Sequence, residues 1–148
     1  MAKYVAVVSA TSNSSANTDD SFIDLTAAAS NTLILRRVRI STQTAATDDS
    51  IRIRIYRKTA SGAGSTTGTA VRVRPLAPAA TVGVKIKNGT STFATGTTTD
   101  QLTDIQLNGR SVLDMPVEFE SASAGIIGVN IARSNTSVVT NVFVEWEE

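Results

Sequence analysis

The chain has 148 residues, 41% of them hydrophobic, 18% charged and 5% aromatic, with 14 bases set against 13 acids. That length fits one domain able to bury a core of its own, and the composition is not that of a highly charged disordered chain. Because cysteine and histidine are both absent, disulfide frameworks, Cys/His zinc sites and Ser-His-Asp or Cys-His machinery are excluded.

The first element is the β-branched run from Tyr4 to Ser9. It is too short for the core of a signal peptide. It reads either as a strand of the domain's own sheet or as an arm added to a neighbour's sheet, since main-chain pairing needs no special side chains. Phe22 to Thr26 follows, and then Arg37-Val38-Arg39-Ile40, where apolar and basic residues alternate. The clearest alternation is Ile51-Arg52-Ile53-Arg54-Ile55-Tyr56-Arg57, with isoleucines on one face and arginines on the other, as a half-buried strand requires. Further strands are expected at Ala70 to Arg74, Val82 to Lys87, Leu102 to Leu107, Pro116 to Glu120, Gly125 to Ala132 and Val142 to Glu147.

Turn chemistry separates these runs at Asp48-Asp49-Ser50, Asn88-Gly89, Asn108-Gly109 and Asn135-Thr136-Ser137. Stretches 9–20, 59–70 and 88–100 consist almost wholly of small and hydroxyl-bearing residues and read as loops. No segment repeats with a helical period, and none approaches the roughly 20 apolar residues of a membrane span. The expected fold is all-β: one domain over residues 1–148, a β-sandwich of about eight to ten strands, jelly-roll-like or a related Greek key. Residues 1–20 are its first strand, or an arm, with a Ser/Asn-rich connector.

Charge is unevenly distributed. Residues 36–87 hold eleven bases against Asp48 and Asp49, a net of +9, whereas residues 88–148 hold eight acids against Arg110 and Arg133, a net of −6. Because the bases occupy alternate strand positions, they are expected to line the polar face of one sheet. That face has three readings. Its bases pair within the chain, with Glu118, Glu120, Glu145 and Glu147 as partners; they meet the acidic face of another subunit or protein; or they contact nucleic-acid phosphates. The third is disfavoured, because Tyr56 is the sole aromatic among the basic strands and cannot make a stacking platform.

Catalytic side chains are scarce. Asp19-Asp20 and Asp48-Asp49 are adjacent pairs in turn-rich sequence, and Glu118 with Glu120 reads as solvated or ion-paired strand acids rather than a glycosidase pair. No calcium loop and no phosphate-binding loop is present. The Asn-x-Ser/Thr triplets at Asn13, Asn88 and Asn135 are what a chain this rich in those residues produces by chance. No enzyme activity, cofactor or metal is expected. Among the aromatic residues, Phe93 stands alone in a Thr/Gly stretch and is expected at an intersubunit contact. Val142, Val144 and Trp146 share one face of the last strand, with Phe143 on the other, there either to cover a second layer or to meet a neighbour.

The run Ile51 to Arg57, the following Gly/Ser/Thr loop, and Val71-Arg72-Val73-Arg74-Pro75-Leu76-Ala77-Pro78 together resemble small, cysteine-free structural proteins of tailed bacteriophages, the capsid decoration or cement proteins. The sharper part of the likeness covers about 30 residues ending in the Arg-Pro-Leu-x-Pro turn. The resemblance implies a homotrimer on the outer surface of the virion that binds the major capsid protein and bridges neighbouring capsomers. Within that reading Arg37, Arg39, Arg52, Arg54, Arg72 and Arg74 are the docking residues, and Phe93, Val142, Phe143, Val144 and Trp146 the subunit-packing residues. The alternative is an adhesin or fibre-tip module recognising a host glycan or protein, which is expected to cluster exposed aromatics on loops.

Overall fold

A computed structural model describes residues 1–12, 16–42, 49–135 and 137–148. Its strands are β1 (Lys3–Thr11), β2 (Asp20–Thr26), β3 (Leu33–Thr42), β4 (Ser50–Ala60), β5 (Ser65–Thr67), β6 (Val71–Arg72), β7 (Gly83–Lys87), β8 (Thr97–Asn108), β9 (Leu113–Ser121), β10 (Ile126–Arg133) and β11 (Val139–Glu147). They form a five-stranded sheet in the order β6-β1-β11-β3-β9 and a six-stranded sheet in the order β5-β7-β2-β10-β4-β8.

The pairing follows a simple rule. Among the eight strands of seven or more residues, first pairs with last, β1 with β11, and the rule continues inward through β2 with β10, β3 with β9 and β4 with β8, all antiparallel. A ribbon of antiparallel strand pairs rolled over on itself gives the jelly-roll sandwich. The short strands β5, β6 and β7 come from one insertion between β4 and β8. β7 extends the six-stranded sheet beside β2, and β6 crosses to the other sheet and pairs with β1. β1 is therefore a strand of the domain's own sheet, paired on both sides.

Alternation dictates what is buried. Ile51, Ile53 and Ile55 of β4 meet Tyr4, Ala6 and Val8 of β1 and Val142, Val144 and Trp146 of β11 in one core cluster between the sheets. Full burial of each large aliphatic side chain stabilises the sandwich by roughly 1.5–3 kcal/mol. Tyr4 and Trp146 face each other in register across β1 and β11 with rings stacked at 5.8 Å, and the Tyr4 hydroxyl donates to Pro78 O at 2.9 Å, tying the insertion to the first strand.

Several boundaries differ from expectation. β1 runs on to Thr11, β5 lies inside the 59–70 stretch, and β8 begins at Thr97, inside the 88–100 stretch, whereas the run from Ala70 to Arg74 keeps only two residues of strand. Threonine fits a pleated surface well, and a ladder is built from main-chain groups, so hydroxyl-rich sequence pairs wherever a neighbour offers an open edge. The two tight turns differ. Gly89 has φ +53°, and Ser91 N–H closes the turn onto Asn88 O at 2.9 Å. Gly109 needs no positive φ. It needs the absence of a side chain, because a Cβ there would stand 2.4 Å from Asp49 Oδ2. Asp48, Thr136 and Asn13, part of the turn and glycosylation readings, lie outside the described residues.

Candidate interaction surface

The bases do not line one face of one sheet. Arg37 and Arg39 belong to β3 of the five-stranded sheet, Arg52 and Arg54 to β4 of the six-stranded sheet, and Arg72 and Arg74 to the β6 edge and the turn beyond it. Alternation had been read correctly along each strand, but consecutive strands of a jelly roll alternate between sheets, so the basic run in sequence is divided between two opposite outer faces.

Most of these cations are already partnered. Arg37 grips Asp114 with Nε and Nη2, both at 2.6 Å, and Arg39 approaches the same carboxylate at 3.7 Å. Arg52 makes the same two-pronged contact with Asp104, Nε at 2.7 Å, and Arg54 reaches Asp19 as well as Asp104. Arg36 bridges Glu147 and Glu118, each at 2.8 Å, and Arg57 lies 3.7 Å from Asp100. The hydrogen bonds from Arg52, Arg37 and Arg36 hold the Asp104, Asp114 and Glu147 carboxyls below the ordinary range. A partner docking on these arginines would have to displace or desolvate pairs the chain has already made. Among the described residues, Arg72 and Arg74 have no carboxylate within 4 Å.

Three further ion pairs are fully buried: Lys58 with Asp24 at 2.7 Å, Lys87 with Asp20, and Arg133 with Asp49. Asp49 also accepts from Ser134 Oγ and Asn135 N–H, at 2.9 and 3.0 Å. Lys58 and Lys87 had been counted with the basic face, and Asp20 and Asp49 as ordinary turn residues. Lys58–Asp24 and Lys87–Asp20 are concealed by segments 61–64 and 91–96, which run together over the outside of the six-stranded sheet, whereas Arg133–Asp49 is enclosed by Thr140, Gly109 and Ser134. Ala94 N–H donates to Ala63 O, Ser21 N–H to Phe93 O, Phe93 N–H to Asp20 Oδ1 and Asn130 Nδ2 to Thr95 Oγ1, all at 2.8–3.0 Å. The signal available in sequence was Gly128, a glycine inside the apolar run Ile126 to Ile131, since a strand-interior glycine marks a close approach.

Four of the five expected subunit-packing residues are interior. Val142, Val144 and Trp146 belong to the central core, and Phe93, at 0% exposure, is the apolar plug of the cover over the six-stranded sheet. None is available to a neighbour. Phe143 is half-buried on the outer face of the five-stranded sheet, opposite Val7.

That outer face carries the feature composition alone did not reveal. The residues of β1 and β11 that point away from the core include Val5, Val7 and Phe143, and β6 adds Val71 in register with Val5. Val73 N–H continues the pairing onto Lys3 O at 3.0 Å. Val7, Val71 and Val73 are 58%, 54% and 48% exposed, and Leu76 in the following turn is fully exposed. Arg72, in register with inward-facing Tyr4, and Arg74 alternate with Val71 and Val73, and a concavity of about 390 Å³ lined by Met1, Lys3, Arg74, Leu76 and Pro78 adjoins the strip. Several apolar side chains exposed side by side on one face are the kind of surface that contact sites use.

No group of three or more acidic side chains positioned to hold a metal ion occurs among the described residues. Asp114, Glu118 and Glu120 alternate along the exposed side of β9, with Asp114 and Glu118 engaged by arginines. No protein-family model matches the chain, and no curated protein matches it in sequence.

Proposed function

We propose that this chain is a non-enzymatic structural protein that binds the outside of a tailed-bacteriophage capsid and stabilises it by bridging neighbouring capsomers. The observation that carries the reading is the apolar strip of Val5, Val7, Phe143, Val71 and Val73 on a sheet face that no other described segment covers, next in sequence to Arg72 and Arg74, which have no carboxylate within 4 Å among the described residues. Docking by this strip reassigns the contact. The arginines of β3 and β4 serve the protein's own surface, whereas Arg72 and Arg74 supply steering and register toward an acidic rim on the shell. Many copies, each adding a modest interface, raise shell stability by multivalency. Jelly rolls occur in viral coat proteins and also in lectins, so the fold is compatible with this role and does not assign it.

The adhesin alternative has less support. It called for loop aromatics open to a ligand, and Phe93 and Trp146 are both interior. The deciding experiment mixes the purified protein with capsids that lack it. Saturable binding to shells, with release of packaged DNA shifted to higher temperature, is the expected result; binding to host cells alone overturns the proposal. A solution mass of three chains is expected for the trimer, free or on the shell.

A further inference from the structure

Lys58 and Asp24 meet on the outer side of the six-stranded sheet, from β4 and β2, across the intervening β10. Both side chains are at 0% exposure, with Nζ 2.7 Å from Asp24 Oδ1. They meet in the space left by Gly128, where a Cβ would stand 2.4 Å from Asp24 Oδ1 and 2.4 Å from Lys58 Cε. As an ion pair the arrangement is poorly satisfied. An ammonium carries three N–H groups, and two find acceptors among the described residues, Asp24 Oδ1 and Ser21 Oγ at 2.6 Å. Asp24 Oδ2 is buried and makes no hydrogen bond within 3.5 Å, although the Ser61 hydroxyl, likewise buried and unpaired, is near enough to favour the carboxylate. Removing both charges from water carries a desolvation cost that one contact does not fully offset. Burial pushes the Asp24 carboxyl up and the Lys58 amine down, both toward their neutral forms.

We infer that Lys58 and Asp24 are joined by an intramolecular amide bond, formed once the sheet and its cover have closed around them. One ammonium proton passes along the 2.7 Å hydrogen bond to the carboxylate, leaving an amine and a carboxylic acid. The Nζ lone pair forms a bond to Asp24 Cγ, and a second Nζ proton moves to the departing carboxyl oxygen. The C–O bond breaks and one water leaves. The product keeps a single N–H, with Ser21 Oγ in place as acceptor and the Ser21 hydroxyl donating onward to Asn130 Oδ1 at 3.1 Å. No oxidant, reductant or cofactor enters the balance. The bond abolishes both buried charges and the surplus donor, one buried oxygen leaves as water, and β2 is clamped to β4 across β10 by residues 34 apart in sequence.

The other two buried pairs do not offer this chemistry as well. Both Asp20 oxygens are bonded, one by Lys87 and one by Phe93 N–H, and Arg133 is not a nucleophile. The test is the mass of the full chain in denaturant, followed by tryptic digestion. The expected result is a mass one water below that of the sequence, with no cleavage after Lys58 and a branched peptide joining the Lys58 and Asp24 segments. Lys58→Arg keeps the cation, cannot form the amide, and is expected at its full sequence mass. A wild-type chain at full mass with free Lys58, or a water lost at any other position, overturns the inference, whether or not the variant folds.

Discussion

The two outer faces of this sandwich are built from similar strands and treated in opposite ways. Over the six-stranded sheet, segments 61–64 and 91–96 hide Phe93 and two ion pairs, Lys58–Asp24 and Lys87–Asp20. Over the five-stranded sheet no such cover runs among the described residues, and Val7, Val71 and Val73 stand open beside half-buried Phe143. Both faces belong to one chain with one composition, so the difference lies in where the long insertion goes. Most of it folds back on the six-stranded sheet, while β6 extends the other sheet without covering it. A face closed by its own chain contributes stability; a face extended and left apolar is available to something else.

Substitutions sharpen that contrast, and the largest effects belong on the buried side. Asp49→Ala leaves Arg133 charged, buried and unpaired, and removes the acceptor for Ser134 and Asn135. It is expected to lower unfolding stability by about 3–5 kcal/mol, read from the urea midpoint. Phe93→Ala empties the plug beneath the cover and is expected to lose about 3 kcal/mol. That loss is the same at every protein concentration; a loss appearing only where the protein self-associates would return Phe93 to a subunit contact.

Smaller effects follow from pH. Asp104, Asp114 and Glu147 titrate below their ordinary values in the folded chain, so their contribution is full above the unfolded carboxyl value, about pH 4, and is lost as pH falls through the folded values. Asp20 has its folded value raised by burial, so its sign is reversed: its contribution is present at low pH and is lost as pH rises through the folded value. Urea midpoints from pH 3 to 6 for wild type and Asp104→Asn are expected to diverge toward pH 6, where wild type gains from the Arg52 pair, and to converge in acid. Divergence growing toward acid contradicts the pairing. Smallest of all is Val7→Asp, with an expected change within about 0.5 kcal/mol, because a side chain in water on an open face loses little by becoming polar.

How much of this was legible in the sequence depends on the range of the cause. Alternation in Ile51 to Arg57 and Val142 to Glu147 is local and identified β4 and β11 as strands; it grouped Val142, Val144 and Trp146 on one face, but that this face packs inside the chain and not against another subunit depends on the opposite sheet. The β-sandwich class followed from many such runs without helical period. Partner choice is non-local, so nothing in Arg37, Arg39, Arg52 and Arg54 indicated that two lie on each sheet, with Asp114 and Asp104 waiting across the ladder. Burial by a covering segment leaves only an indirect trace: Lys58 and Asp24 look like surface residues until 61–64 and 91–96 are laid over them, and the strand-interior Gly128 marks a close approach without saying of what. Val71 and Val73 were read as part of a strand, but their exposure depends on β6 being an edge with nothing packed outside it among the described residues.

Binding of two variants to capsids that lack this protein tests the central claim most directly. Val7→Asp places a charge in the apolar strip, and Arg52→Ala removes one of the paired arginines from the opposite sheet. The account predicts that Val7→Asp weakens shell binding at least tenfold, about 1.4 kcal/mol or more, while Arg52→Ala binds as wild type does. Undiminished binding by Val7→Asp, together with loss by Arg52→Ala, would contradict it.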